Sequence, residues 1–588
     1  MRLYRSIPRA GTGALGVMVG IVMLLAACAQ GAPPPASSGA AQPPQASGNG
    51  SATQKTLRIA LQGFEEPNAN GIISYGSVGG FDPLEHFMLF HASLTVYDQQ
   101  GTLVPRLAQK VPNLQDGDWK VNADGSMDVT WKLKPGLTWH DGTPLTTSDF
   151  AFGVQVTNDP DVPVSRPAWA RLVGEVQTPD PQTMVVHWKE SSFLGGGVGA
   201  GDIPALPTHI LADPYKAGDK QAFVNHPYWT TDFIGVGPYK EGRWQRGSFL
   251  EGLAFDNYAL GRPKIDRILV TYVGDVNAIV AGVLSGDLDT VIMGARLDAS
   301  QLVAVQDGWK GTGNAGTTLL VPFGVRTVWL QFRDASAPWA RDLHVRQALA
   351  HSIDRQGMSD ALQNGLTPPA DTFVPTADLA FQQLDKRGFT KYPFDASRAR
   401  QLFAEAGWNA GADGMLHDAA GQPLTMAVAA TGQGSNIQEI ETVANYWQRA
   451  GVQASPDPLP PQAANLDERK NTVQGGFLWP WSPSTDAPQN LITTQIPNER
   501  TAWKGRNYGG YTNPAYDAIY ERFTTTLDFT QRQSVVADAM TLLADQVPVI
   551  PIYYYGNGVI VRKGLEGPGM ISPLQTSSTW NIETWDIH

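Results

Sequence analysis

The amino-acid sequence predicts a loop-rich α/β protein of several domains, and three observations carry that prediction. Its 588 residues exceed what one hydrophobic core usually holds, which points to about two to four domains. Segments in which apolar side chains alternate with polar ones, the mark of half-buried strands, recur between segments with the roughly 3.6-residue apolar spacing of amphipathic helices. Gly, Pro and Trp are plentiful, at 61, 43 and 17 residues, and charged residues make up 17 %, a balance that favours a loop-rich globular chain over coiled coil or disorder. Acidic residues outnumber basic ones, 55 to 43, which argues against the basic face that nucleic-acid binding needs.

The N-terminus sets the compartment. Arg2, Arg5 and Arg9 precede an apolar run over residues 14–27 that ends in Leu25-Ala26-Ala27-Cys28. A basic start, an apolar stretch and small residues read as a secretory signal peptide. Leu-Ala-Ala-Cys also looks like a bacterial lipobox, in which Cys28 would be diacylated and become the mature first residue; a plain signal peptide or a short membrane anchor is the alternative. Cys28 is the only cysteine, so no disulfide forms within one chain and no CxxC metal or redox site exists. Residues 29–54 carry almost no large apolar side chain and read as a flexible tether. Beyond residue 27 no apolar run approaches the ~20 residues of a membrane span.

Residues 57–61 form a first strand, leading into Gly63-Phe64-Glu65-Glu66-Pro67. Residues 94–98 (LTVYD) and 103–108 (LVPRLA) follow. Val129, Trp131 and Leu133 alternate with polar neighbours as a half-buried strand, Pro135-Gly136 turns the chain, and a short second strand runs through Leu137 and Trp139. After the Asp141-Gly142 turn, Thr146 caps a helix with Asp149 as its acidic partner. A further strand covers residues 178–188. The glycine run at 193–202 lacks the helix and Lys partner of a phosphate-cradling loop and reads as a flexible surface loop. Residues 234–240 give a strand, 278–289 a short helix, and 328–332 a buried strand that crosses into a second lobe. Asp342 and Asp395 begin helices, the latter stopped at Gly407. Ile437, Ile440, Ala444 and Trp447 stripe another, stopped at Gly451. Asn513-Pro514 opens a helix, Val535, Val536, Ala539, Met540 and Leu543 stripe the next, and residues 547–553 are extended.

Several of these segments carry a resemblance. Leu133, Gly136, His140, Asp141, Gly142, Pro144, Leu145, Thr146, Asp149 and Phe152 match, in place, the motif "L-R-x-G-V-x-F-H-D-G-x-P-L-T-A-x-D-V-x-F" of extracellular solute-binding proteins of family 5, the peptide/nickel-type receptors that feed ATP-driven importers. Lys134, Leu137 and Trp139 are conservative departures. Residues 345–355 (VRQALAHSIDR) resemble the family's "V-R-x-A-L-x-x-A-I-D-R". Residues 399–408 resemble "A-R-x-L-x-x-E-A-G-W", and Asn513-Pro514 with Asp517 resembles "N-P-x-x-D". The resemblance runs from about residue 57 to about 565. It implies a type II periplasmic-binding fold, two lobes with mixed sheets plus an extra third domain. The implied map is signal peptide 1–27, lipidated Cys and tether 28–55, first lobe 56–100, extra domain 101–205, first lobe again 206–325, second lobe 326–554 and return to the first lobe 555–588.

For chemistry, aromatics lead. Residues 479–488 (WPWSPSTDAP) place Trp479, Trp481 and Asp486 in a Pro-stiffened loop, supplying rigid apolar walls and one polar anchor. Two core tryptophans and a loop Asp is the competing reading. Together with Phe64, Glu65, Tyr75 and Trp329, these are the cleft candidates. In peptide receptors of the family an acid in the 479–488 segment pairs with the peptide's amino group; here Pro483 or Ser484 falls near that place, and Asp486 remains. No catalytic, metal or cofactor constellation emerges. His140-Asp141 belongs to a turn, His86 and His91 fit no zinc spacing, His344 and His351 lie two turns apart, and HExxH, GxSxG and paired carboxylates are missing. The expectation is a monomeric, lipid-anchored, exported receptor. It captures a solute, a peptide-like one by preference, between two lobes and delivers it to an ABC permease with its ATPase subunits. A sugar, chelated metal or other solute is the alternative, and a secreted hydrolase a more distant one.

Overall fold

The computed structural model of the chain describes residues 54–62, 72–73, 81–313, 315–432, 435–481, 487–569, 571 and 577–588. The signal segment, Cys28, nearly all of the tether, and the candidates Phe64, Glu65, Tyr75 and Asp486 lie outside the described residues. Fourteen strands organise the rest: β1 (Thr56–Gln62), β2 (Trp119–Val121), β3 (Met127–Lys132), β4 (Val173–Asp180), β5 (Thr183–Trp188), β6 (Tyr239–Gln245), β7 (Phe249–Ala254), β8 (Arg267–Val273), β9 (Thr290–Val291), β10 (Thr317–Leu330), β11 (Thr425–Thr431), β12 (Gln453–Leu459), β13 (Gly475–Trp481) and β14 (Val549–Val561). The helices that matter below are α1 (Thr147–Asn158), α2 (Val276–Ser285), α3 (Leu343–His351), α4 (Ala396–Glu405), α5 (Asn436–Arg449), α6 (Pro514–Thr525) and α7 (Phe529–Gln546). No helix among the described residues is long and apolar enough to cross a membrane.

Ten strands form one sheet in the order β12-β11-β13-β10-β14-β9-β1-β8-β7-β6. One half is mixed, with β1 parallel to β8 and β9. The other half has β11 parallel to both β12 and β13, and β13 antiparallel to β10. The halves meet where β10 and β14 run antiparallel, from Thr317 opposite Val561 to Trp329 opposite Val549. Each half buries its own apolar side chains. Leu57, Ile59, Ile268, Val270 and the late-chain Ile582 and Trp585 pack together in one, and Val328, Leu349, Phe403, Trp447 and Tyr553 in the other.

The strand expected at 328–332 begins much earlier, at Thr317. Pro322 lies within it although proline cannot donate to a ladder. The chain absorbs it at a register shift between Pro322 and Gly324, where the lost donor has no partner to disappoint. The single strand expected at 178–188 is a hairpin: β4 ends at Asp180, and β5 returns antiparallel to it. The Asp180 carboxylate accepts from the Gln182 and Thr183 amides and shapes the turn. At Leu137 and Trp139 the expected second strand shrinks to a single bridge between Thr138 and Pro144.

The four-stranded sheet β2-β3-β5-β4 stands apart from the large one and has its own core of Trp119, Val129, Trp131, Trp139, Phe150 and Trp188. Its joint to the rest runs through the His140 segment. His140 is buried; its Nδ1 accepts from the Gly235 amide at 3.2 Å, and its Nε2–H donates to the Gly237 carbonyl at 3.1 Å. Asp141 turns away to His209, at 2.9 Å, so the apparent dyad has no mutual contact. Asp149 accepts from the Thr146 amide at 2.9 Å, starting α1, and from the Thr208 amide and hydroxyl at 3.0 and 2.8 Å. The motif therefore stitches three stretches of backbone together.

The glycine run at 193–202 is not a surface loop. Gly195, Gly196 and Gly199 are buried, because the segment lies flat on the four-stranded sheet. A Cβ on Gly196 would stand 2.4 Å from the Trp119 ring, and one on Gly195 2.6 Å from the Met127 methyl. Close packing, not flexibility, explains those glycines. Asp202 closes the segment, accepting from the Thr95 amide at 2.9 Å and hydroxyl at 2.7 Å and from the Val198 amide at 2.6 Å. Burial pushes its carboxyl up to about 7.

Two expectations follow. Gly196→Ala, which overpacks this contact, destabilises the protein by about 1–3 kcal/mol and lowers its melting temperature; an unchanged melting curve would refute the packing account. His91 and His140, held by burial at about 3 and about 4, resist protonation in the fold. Their unfolded value is near ~6.5, so the unfolded chain binds more protons between that value and about 4. The contribution of these two imidazoles to stability is then full above pH ~6.5 and falls as pH drops towards 4, while the raised Asp202 carboxyl acts in the opposite sense over the same range. Nitrogen-detected NMR at about pH 5.5 should find both imidazoles neutral; a charged His140 would overturn this.

Candidate functional site

Strand register builds the site. On β10 and β13 the antiparallel pairs Val325–Trp481, Thr327–Trp479 and Trp329–Phe477 set these side chains opposite one another on one face. Trp479 and Trp481 are therefore strand residues, not the loop residues expected from Pro480, which the pairing accommodates opposite Arg326. Trp329 and Trp481 stack at 5.3 Å between ring centroids, with 14° between planes. Phe373 leans on Trp481 at 4.7 Å. Tyr508 meets Trp329 edge-on at 5.3 Å and Trp479 at 6.1 Å, while Phe477 and Trp479 stack at 5.7 Å. The result is one aromatic wall.

Burial grades it. Trp481 is fully buried and Trp329 is 2 % exposed, whereas Trp479 remains partly accessible, with the Lys470 ammonium 5.2 Å from its ring. The indole N–H groups of Trp329 and Trp481 are buried and donate to no acceptor among the described residues. Donors of this kind normally find a partner, since an unmet one costs about 1–3 kcal/mol. They are the polar handles of an otherwise apolar wall.

Three members were not singled out from sequence: Phe373, Phe477 and Tyr508. Tyr508 sits before Gly509-Gly510 in a turn fixed by the buried Asn507, whose side-chain amide donates to the Leu491 and Tyr511 carbonyls at 3.0 and 2.8 Å. An aromatic beside paired glycines and a buried amide was the available signal. Of the sequence candidates, Trp329 and Trp481 come into contact and Trp479 lies two residues along the same face.

The opposite face of β10 carries charge. Arg326 donates to Asn436 Oδ1 at 2.8 Å and to the Glu439 carboxylate, which also accepts from the Tyr553 hydroxyl. Glu439 is buried and the Arg326 side chain is mostly so, and each would be costly without the other. The network ties β10, α5 and β14 on the side away from the wall. Elsewhere His86 pairs with Glu241 at 2.9 Å and His91 reaches the Ala205 carbonyl at 3.3 Å. Among the described residues no three His, Cys, Asp or Glu side chains gather as a metal cage requires.

Two α/β halves joined by two long strands, with a further sheet domain attached, form the architecture of type II periplasmic-binding proteins. Solved structures share it. The oligopeptide-binding protein from Thermus thermophilus, complexed with a pentapeptide, superposes with a TM-score of 0.64 at 20 % identity, covering 90 % of this chain and 96 % of that one. NikZ from Campylobacter jejuni, in complex with Ni(L-His), gives 0.65 at 20 % identity over 90 % and 99 %. The model of bacterial extracellular solute-binding proteins, family 5 (middle), matches residues 102–501, and the chain belongs to this family. The oligopeptide-binding protein AppA of Bacillus subtilis (strain 168) is 24 % identical over 507 residues, 84 % of this chain and 86 % of the relative.

Replacing Trp481 by Ala should cost about 3–5 kcal/mol of stability, as expected for a fully buried aromatic, and Trp479→Ala clearly less. Thermal unfolding of the two variants side by side checks this; equal losses would mean that Trp479 is as deeply structural as its neighbour.

Proposed function

We propose that this chain is the substrate-binding receptor of an ABC importer, closing two lobes over a solute and delivering it to a membrane permease. The observation that carries the reading is the aromatic wall on β10 and β13, close to where β10 and β14 pass from one half of the sheet to the other. A solute at this wall would stack on Trp479 and offer acceptors to the Trp329 and Trp481 indoles, interactions that a closed state makes and an open one does not. The lobes in this reading comprise residues 56–100, 206–325 and 555–588 for the first and 326–554 for the second, with 101–205 as the extra domain. The bend falls at Val321–Gly324 against Tyr555–Asn557, where pairing slips.

A peptide or peptide-like cargo is favoured, in keeping with AppA's description as an oligopeptide-binding protein. A wall of stacking rings with two uncharged donors suits a sugar or a chelated metal too, and NikZ holds Ni(L-His). Phe64, Glu65, Tyr75 and Asp486 complete the proposed cleft. Membership of an extracellular family accords with export, and lipidation at Cys28 would hold the monomeric receptor at the outer face of the cytoplasmic membrane.

Native mass spectrometry of the exported chain, before and after mild unfolding, tests the reading. A ladder of peptide masses establishes peptide cargo, and a single non-peptide mass identifies another class. Should the protein prove empty, a ligand at ~100 times its dissociation constant stabilises by about 2.7 kcal/mol in a thermal-shift screen. Failure of peptides, sugars and metal chelates alike would sink the receptor reading. Once a ligand is known, Trp479→Ala should weaken it by about tenfold while leaving the fold intact.

A further inference from the structure

A cavity whose lining includes none of the aromatic-wall residues lies between the four-stranded-sheet domain and the segment entering α7. Its volume is about 210 Å³. Tyr97, Leu103, Trp119 and Phe193 form one side, Leu527 and Phe529 the other. A cavity of roughly 150 Å³ can hold a benzene ring, so a small ring with one substituent fits here.

One cation faces this space, whose lining is mostly apolar with Thr102, Asn113, Gln115 and Asp528 as its polar members. Arg532, on the first turn of α7, is 6 % exposed. Its Nη1 donates to the Thr526 and Leu527 carbonyls at 3.1 and 3.0 Å. The guanidinium stacks 4.3 Å from the Phe193 ring centroid and 5.5 Å from that of Phe529. Nε and Nη2 make no hydrogen bond to any described residue, and no carboxylate among the described residues comes within ion-pair distance. Burial pulls its pKa down to about 10, so it remains charged at neutral pH. Asp528 also lines the cavity, but its carboxylate caps α7 through the Gln531 amide at 2.8 Å and forms no ion pair with Arg532. A largely buried guanidinium with no counter-ion among the described residues is unusual, because its charge is normally paired once most of it is taken from water.

We infer that this cavity is a ligand site, separate from the aromatic wall, for a small organic carboxylate whose charged end sits on Arg532 and whose apolar body lies against Phe193, Trp119 and Leu103. The Nε–H and Nη2–H edge of the guanidinium, which meets no acceptor among the described residues, is the parallel pair of donors that a planar carboxylate accepts. The apolar walls favour a monoanion carrying hydrocarbon over an inorganic dianion, half of whose charge would be left without a partner. Because the walls come from two parts of the molecule, the ligand also cements the four-stranded-sheet domain to α7.

Titrating the full-length exported chain with benzoate and with its neutral isostere benzamide tests the inference. Benzoate should bind one per chain and at least about tenfold tighter than benzamide, and Arg532→Gln should abolish that preference. Equal affinities in the natural protein, or a preference that survives Arg532→Gln, would overturn it. If the variant does not fold, a crystal structure of the benzoate complex decides: a carboxylate on the Arg532 edge supports the site, and benzoate located elsewhere refutes it.

Discussion

The pairing of β10 with β14 is the constraint on which the rest of the molecule hangs. Every strand of the large sheet reaches its place by hydrogen bonding outward from this ladder, β13, β11 and β12 on one side and β9, β1, β8, β7 and β6 on the other. A ladder continuous through both halves joins them while leaving two weak points, a slip between Pro322 and Gly324, where proline cannot donate, and another between Arg326 and Thr327. A Cβ on Gly324 would meet the Tyr555 ring at 2.6 Å, so the two strands approach closely at the place where they bend. Strength along most of the ladder and weakness over a few neighbouring residues are what a hinge needs.

The same ladder sorts the chemistry of the site. Side chains alternate across a strand, so Val325, Thr327 and Trp329 join the aromatic wall while Arg326 joins Glu439 and Tyr553 behind it. One strand thus carries a recognition surface and its charged support, and neither can shift register without the other. The wall's strand-borne aromatics come from β13 and β10, and Phe373 and Tyr508 arrive from loops. Part of the surface is therefore rigid and part is built on segments that can adjust.

Much of this was legible in the sequence, for physical reasons. Helix starts were visible because Asp342, Asp395 and Asn513 cap through their own side chains, a local interaction within three residues. Trp329 and Trp481 could be named but not paired, since their stacking depends on a register that no local pattern encodes. The glycines at 193–202 misled because a flexible linker and a tightly packed crossing call for the same residue, and only the distant Trp119 ring distinguishes them. Pro480 misled in the opposite direction: it read as stiffening a loop, yet it lies in β13 and pairs opposite Arg326. Arg532 gave no signal at all, because a lone arginine in an amphipathic helix reads as solvated until its surroundings are seen.

The order of β10 and β14 along the chain has a consequence for biogenesis. β14 begins at Val549, so β9 and the strands beyond it lack their central neighbour until nearly the whole polypeptide is present. A chain threaded from its N-terminus through a translocation channel cannot finish its first half early, and contacts so remote in sequence form slowly. Were such a chain to cross a membrane unfolded, this delay would favour its passage: the topology itself keeps the leading segments from locking before the trailing ones have passed.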